Sequence, residues 1–578
     1  MRNFIINSIY IFSFLLLGLS ACKENKTKEG RIANGKITLG GTLRISEVEP
    51  YQTLFPIAIA DNLSAEIALQ VYEGLLKFNT SDLSVIPGIA EKWEIDSTRT
   101  KYTFHLKKGV FFHDDNCFSN GVGREVKAAD FKYSFELLCT QRSDNNSFAL
   151  IFKDNLKGAN KYYKASANGK PDFDVEGIKV IDDYTLQLSL EKPLYTFIYF
   201  LALPATVVIP LEAVEKYGNK TKVGSGPFIF ASDEDSSQTI VLVRNKKYYG
   251  TDTLGNKLPY LDSVIIKSFK TELLAFEEFQ KGNIDLVFRI PSVSIKNIVQ
   301  QNIADFQSAN PKYIIELSPQ MSTQFYEFVT QAGTFKDRRV RQAISYAIDR
   351  NRIVENILNG EAFMPGIYGI VPPVFANYSN TKIVGYKHDV EKAKKLLAEA
   401  GFPDGKGFPK ITLELNSGGV RNTNVALEIQ KQLKENLNIK MDLMIVPFSQ
   451  KINDAKNAKG DLFRSSWIAD YPNPASFLQL LYGKTVPAKI EDPSVPNISR
   501  YINVEFDRLF EKGLAAGSVK EGYKYFLEAE QLAMKDAPLL ILWYDANYRL
   551  LNSKVKNLHN NPIQYRDLSR TYIVKKTN

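Results

Sequence analysis

Three residues at three-residue intervals, Arg464, Trp467 and Asp470, could together hold a small charged molecule. They sit in Arg464-Ser465-Ser466-Trp467-Ile468-Ala469-Asp470-Tyr471-Pro472-Asn473-Pro474, a basic residue, an indole and a carboxylate before a proline-rich stop. Side chains alternate along a strand. An extended 461–468 therefore points Arg464, Ser466, Ile468 and Asp470 to one face. Six residues at about 3.3 Å each place cation and anion roughly 20 Å apart. Both side chains lean into that gap and leave room for a short zwitterion such as a peptide. The plainer alternative is a surface strand that ends in a turn with solvated charges. Arg421 is another cation that could meet a carboxylate, and Tyr51 with Glu47 to Glu49 are weaker contact candidates.

Composition removes several chemistries. Four His and three Cys are scattered, with no HxxxH and no CxxC, so neither a metal site nor a cofactor is expected. No GxxxxGK[ST] and no strand–GxGxxG–helix unit supports nucleotide binding. Neither GxSxG nor HExxH is present, and no enzyme is expected. The net charge of +9 is spread out without a Lys/Arg block, so no nucleic-acid partner is expected. At 578 residues with 44% hydrophobic and 24% charged content, the chain is an ordinary globular one with more than one core.

The first 21 residues read as an export signal, with Arg2 before an apolar run from Phe4 to Leu19. Leu19-Ser20-Ala21-Cys22 resembles the bacterial lipobox, which implies a lipid on Cys22 and a membrane anchor. From Cys22 to residue 37 the sequence has almost nothing to bury and reads as a flexible tether. Export places Cys117 and Cys139 in an oxidising compartment, where an even pair tends to close. A disulfide between them is expected, closing a loop of about twenty residues for roughly 3 kcal/mol.

Behind the three site residues stands a pattern of elements. Strands are expected at 41–45, 101–106, 177–181, 185–190, 238–243 and 263–267. A helix is expected at 128–138, with Phe131, Phe135 and Leu138 on one face. After about 320 helices dominate. Asp337 caps a helix over 338–358, Asp389 caps 390–400, and Ser518 opens a helix to about 536. Strand 411–415, helix 424–436 and strand 439–446 form a βαβ pattern whose next strand is 461–468. Such units imply a mostly parallel sheet, with ligands at the carboxyl ends of its strands. Trp467 and Asp470 lie at such an end.

Several motifs in order carry a family resemblance. Val223-Gly224-Ser225-Gly226-Pro227-Phe228 resembles a VGTGPY turn, and Leu258-Pro259-Tyr260-Leu261-Asp262 a PYLD segment. Gln280-Lys281-Gly282-Asn283-Ile284-Asp285 resembles an SGExD turn, and Val340-Arg341-Gln342-Ala343-Ile344 a recognisable helix. Together they resemble the family 5 solute-binding proteins, the oligopeptide- and dipeptide-binding lipoproteins of ABC importers.

The resemblance implies an α/β periplasmic-binding-protein-like fold, with two lobes, a hinge near 315–322 and 537–541, and an extra subdomain. Lobe I would comprise 38–72, 193–319 and 540–578, the subdomain 73–192, and lobe II 320–539. It also implies Asp470 as receiver of a peptide α-ammonium, Trp467 as a pocket wall and Arg464 as a carboxylate partner. The implied setting is a lipid-anchored monomer on the periplasmic or extracellular face of a membrane, serving ABC permease subunits. Relatives of the same fold that take a nickel chelate, haem, a sugar or an opine are the alternative, and an exported hydrolase a more distant one.

Overall fold

The computed structural model describes residues 31–47, 50–232, 238–288, 311–375, 377–417 and 420–574, with isolated positions between 300 and 308. The export segment and Cys22 lie outside the described residues.

An eleven-stranded sheet organises the chain. Its strands are β1 (Thr42–Glu47), β2 (Phe228–Phe230), β3 (Thr239–Arg244), β4 (Ser263–Ser268), β5 (Leu286–Phe288), β6 (Tyr313–Phe328), β7 (Ala362–Pro365), β8 (Ile411–Asn416), β9 (Met441–Val446), β10 (Leu462–Ile468) and β11 (Leu539–Asn552). Their spatial order is β2-β3-β4-β1-β5-β11-β6-β10-β8-β9, and β7 also pairs with β11. β1 is parallel to β4 and β5, and β8 is parallel to β9 and β10. Between these groups β6 and β11 run antiparallel. The expected mostly parallel sheet is therefore a mixed one, because the chain crosses from one half to the other and later returns.

The two crossing strands change neighbours partway along. Tyr313–Pro319 of β6 pairs with Ala546–Asn552, on the side where β5 joins β11. Thr323–Glu327 pairs with Leu539–Tyr544, on the side where β10 joins β6. The register shifts between Pro319 and Thr323. Proline donates no ladder hydrogen bond, so the break falls where the pairing is weakest. Leu539–Tyr544, assigned from residue 540 to the first lobe by the sequence, thus pairs within the half that carries β10.

The helices used below are α1 (Asn62–Val71), α2 (Ala128–Leu138), α3 (Arg338–Ala347), α4 (Val390–Glu399), α5 (Val420–Leu437) and α6 (Val519–Asp536). α2 buries Phe131, Phe135 and Leu138 completely, beside a four-stranded antiparallel sheet built from 90–95, 101–106, 185–189 and 178–182. In the Val223–Phe228 turn, a Cβ on Gly224 would fall 2.1 Å from the Val71 carbonyl oxygen. That turn packs backbone to backbone on the end of α1, which explains its glycines.

The helix expected over 338–358 stops at Ala347 and restarts at Asp349, whose side chain accepts from the Arg352 N–H. Arg350 forces the break. Its guanidinium is buried and donates to the carbonyls of Ser345, Ile348 and Tyr386, and to Ile541 in β11. A buried cation without a carboxylate needs several carbonyls to replace its hydration. The chain turns here to deliver them.

Cys117 and Cys139 are both free thiols, which corrects the expected disulfide. Cys117 lies beside Asp115 and Glu212, and burial followed by Asp115 pushes its thiol up to about 12. Glu212 is tied through Arg124 to Asp130 in the first turn of α2. Cys139 is buried at the other end of that helix. Eleven helical residues span roughly 16 Å, whereas a disulfide needs Cα atoms within about 7 Å. Alkylation of the denatured, unreduced protein should label both Cys117 and Cys139 by peptide mass spectrometry. A cross-linked pair of peptides would overturn this assignment.

Candidate functional site

β10 is paired with β6 along its whole length, from Leu462 opposite Phe328 to Ile468 opposite Ser322. On its other side it meets β8 only at Leu462 and Phe463. Past that point β8 and β10 part. One edge of Arg464–Ile468 is left without a strand partner among the described residues. A free edge of this kind accepts an extended chain through main-chain hydrogen bonds.

The three expected residues flank this edge but do not share one face. Asp470 follows the strand in a turn, and Ser476 ties it to Trp467. The buried Ser476 hydroxyl accepts from the Asp470 N–H at 2.9 Å and lies 3.3 Å from Asp470 Oδ2 and 3.5 Å from Trp467 Nε1. Gln479 Nε2 donates to the same carboxylate oxygen at 3.2 Å. No Lys or Arg of the described residues pairs with it. Burial pushes the Asp470 carboxyl up to about 6, against the opposing pull of Gln479 and Ser476. The turn is clamped by the next residues. Tyr471 packs edge-on against Phe200 at 5.0 Å, and Asn473 Nδ2 donates to the Tyr195 hydroxyl at 2.8 Å.

Arg464 points to the opposite face from Trp467, by the alternation of the strand. Its guanidinium donates to Gln324 Oε1 at 2.6 Å, and no carboxylate of the described residues forms an ion pair with it. Burial lowers its pKa, while Tyr326 and Asp545 oppose that and Arg421 adds to it. Asp545 of β11 is the hub of this face. It accepts from Ser322 at 2.8 Å, Gln324 at 2.6 Å, Trp543 Nε1 at 2.8 Å and Arg421 at 2.9 Å. Arg421 is thus held by a resident carboxylate, with Glu361 3.6 Å away.

Ile468, Ala469 and Asp470 form one wall of a cleft of about 290 Å³. The facing walls are the start of α1 and the loops at 202–205 and 563–565. Of the weaker candidates, Tyr51 packs edge-on against Phe230 at 6.1 Å, and Glu47 pairs with Arg566 at 3.2 Å. Val48 and Glu49 lie outside the described residues. Ser476, Gln479, Gln324 and Asp545 are site residues that the sequence reading missed. Only Ser476, at the start of the short helix Ala475–Leu478, had a local signal as a polar residue after Asn473-Pro474. Among the described residues no group of three His, Cys, Asp or Glu could hold a metal, and no helix is long and apolar enough to cross a membrane.

Residues 84–488 match the profile described as bacterial extracellular solute-binding proteins, family 5 middle. The chain belongs to this family. As a family 5 solute-binding protein it is a binding protein and not an enzyme. It is 27% identical over 537 residues to the periplasmic oligopeptide-binding protein OppA of Escherichia coli, covering 91% of each chain. It is 26% identical over 506 residues to heme-binding protein A of Haemophilus influenzae, covering 86% of this chain and 85% of that one. A crystal structure of a periplasmic oligopeptide-binding protein from Borrelia burgdorferi superposes with a TM-score of 0.71. That pair is 26% identical, covering 92% of this chain and 100% of the other. The periplasmic-binding-protein-like α/β fold expected from the sequence is the one observed.

The raised carboxyl of Asp470 has a consequence for stability. A group whose folded pKa of about 6 exceeds its ordinary 3.8 binds protons more tightly when folded. Its stabilising contribution is full below about 4 and is lost as pH rises through about 6. Asp470→Asn should therefore stabilise the ligand-free protein by about 1–3 kcal/mol at pH 7.5, with the gain vanishing near pH 4. Denaturant unfolding of both proteins across that range checks it, and a gain independent of pH would contradict the assignment.

Proposed function

We propose that this family 5 protein binds short peptides in extended form along the free edge of β10 and hands them to the permease subunits of an ABC importer. The observation that carries the reading is the Asp470 carboxylate. It lies largely out of water, is held by the neutral donors Ser476 and Gln479, and opens onto a cleft beside an unpaired strand edge. A peptide α-ammonium supplies the missing charge, and the ligand main chain supplies the missing ladder. Arg464, bonded among the described residues only to a neutral amide, is suited to the ligand carboxylate. Trp467, packed on Ser476, would wall a side-chain pocket.

In this reading two lobes close over the ligand, bending where the β6–β11 ladder breaks at 319–323 and 544–546. An extra subdomain built on the four-stranded sheet stands beside lobe I. The protein works as a monomer held outside the cytoplasm by a lipid on Cys22, a role supported by Leu19-Ser20-Ala21-Cys22 and the polar tether after it. Cys22→Ser should move the protein from the membrane fraction to the soluble one. Retention on the membrane would argue against the anchor.

Calorimetry with an unblocked tripeptide tests the ligand. Asp470→Ala should weaken binding by about 100-fold, since a charge-assisted bond to a buried group is lost. In the parent protein affinity should rise with pH between about 5 and 7, as the carboxyl with a pKa of about 6 ionises, and level off above. Asp470→Asn should flatten that profile. Equal affinity for an N-acetylated tripeptide, or no effect of Asp470→Ala, would reject the amine role.

A further inference from the structure

The wall facing Asp470 carries an uneven charge. Asp61 and Glu66, at the start and in the second turn of α1, line the same cleft as Asp470, and no Lys or Arg lines it. A second cleft of about 220 Å³ adjoins the first, and the two share Asp61, Asn62, Glu66 and Gln564. It adds Glu47 and a single cation, Arg566. That cation is fully engaged. Arg566 lies 2.5 Å from Glu66 and 3.2 Å from Glu47, with its guanidinium 3.7 Å over the Phe288 ring. Four carboxylates thus face one guanidinium, in a chain whose overall net charge is +9.

The cleft is also apolar in a particular way. Ile59, Leu69, Leu203 and Ile563 line it beside the acidic groups. Asp61 spends one oxygen on the Ser64 N–H at 2.8 Å, as the cap of α1, and its other oxygen forms no hydrogen bond among the described residues. Greasy walls ending in carboxylates fit a long aliphatic stem with a cationic head, the form of a Lys or Arg side chain. Low-dielectric walls also focus the field of like charges into the cleft, so the preference acts before contact.

We propose that this wall selects ligands with a second positive charge at their amino end, a lysine or arginine side chain on the first or second residue. The inference rests on the peptide reading above and adds to it a side-chain preference. A ligand ammonium on Asp470 places the first residues of the peptide against α1. Acidic residues there are rejected by Asp61 and Glu66, while a neutral residue gains only the apolar contact.

Calorimetry of the full chain with Lys-Ala-Ala, Ala-Ala-Ala and Glu-Ala-Ala tests it. Lys-Ala-Ala should bind about tenfold or more tightly than Glu-Ala-Ala, with Ala-Ala-Ala between them, and high salt should narrow the gap. In Asp61→Asn/Glu66→Gln the three affinities should converge to within about threefold. If the double variant does not fold, Asp61→Asn alone serves, because asparagine caps a helix as well as aspartate does. Equal affinities in the parent chain, or an undiminished preference in the variant, would overturn the selectivity and leave the peptide reading intact. Failure of all three peptides to bind would overturn both.

Discussion

The antiparallel pairing of β6 with β11 is the interaction on which the other placements rest. Among the described residues these two strands alone run through both halves of the large sheet, and each changes neighbours at the break beside Pro319. On one side of the break they are bound to β5, on the other to β10. Asp545 lies at this junction and draws hydrogen bonds from β6, from β11 itself and from α5. A buried carboxylate so completely satisfied fixes the relative position of three elements. It also keeps Arg421 occupied, which leaves Arg464 as the neighbouring cation without an ion pair among the described residues.

Charge is distributed on the two sides of β10 according to different rules. Around Asp545 the protein pairs its own ions. Around Asp470 it supplies only a hydroxyl and an amide, and the carboxyl is raised as a result. Keeping an ionised carboxylate largely out of water costs stability at neutral pH, and a binding protein recovers that cost only when a cation arrives. Fold stability and ligand affinity therefore pull in opposite directions at this residue.

Much of the architecture was readable in the sequence because it depends on local pattern. The 101–106 strand and the 128–138 helix have the expected limits, since alternation and i, i+4 spacing mark a buried face without reference to distant residues. Arg464, Trp467 and Asp470 were singled out in the same local way, as two charges and an indole on and just after one strand, and their ligand roles are proposals. What was not legible depends on residues far apart in the chain. The break after α3 exists because Arg350 reaches the carbonyls of Tyr386 and Ile541. Asp545 carried no local signal, and its partners Ser322, Gln324 and Arg421 are more than a hundred residues away. The disulfide failed because the presence of two cysteines beyond Cys22 carries no information about the rigid helix that stands between them.

The unpaired edge of β10 has one more consequence. An exposed strand edge is the usual point of attack for another chain, and proteins ordinarily blunt such edges with charge, bulges or a covering element. Here the end of the edge, at Ile468, opens on a cleft walled by α1 and the loops at 202–205 and 563–565. Beside that end, α1 and the two loops stand where another sheet edge would have to approach. The walls that frame the cleft thus also guard the end of the strand edge against pairing with another chain.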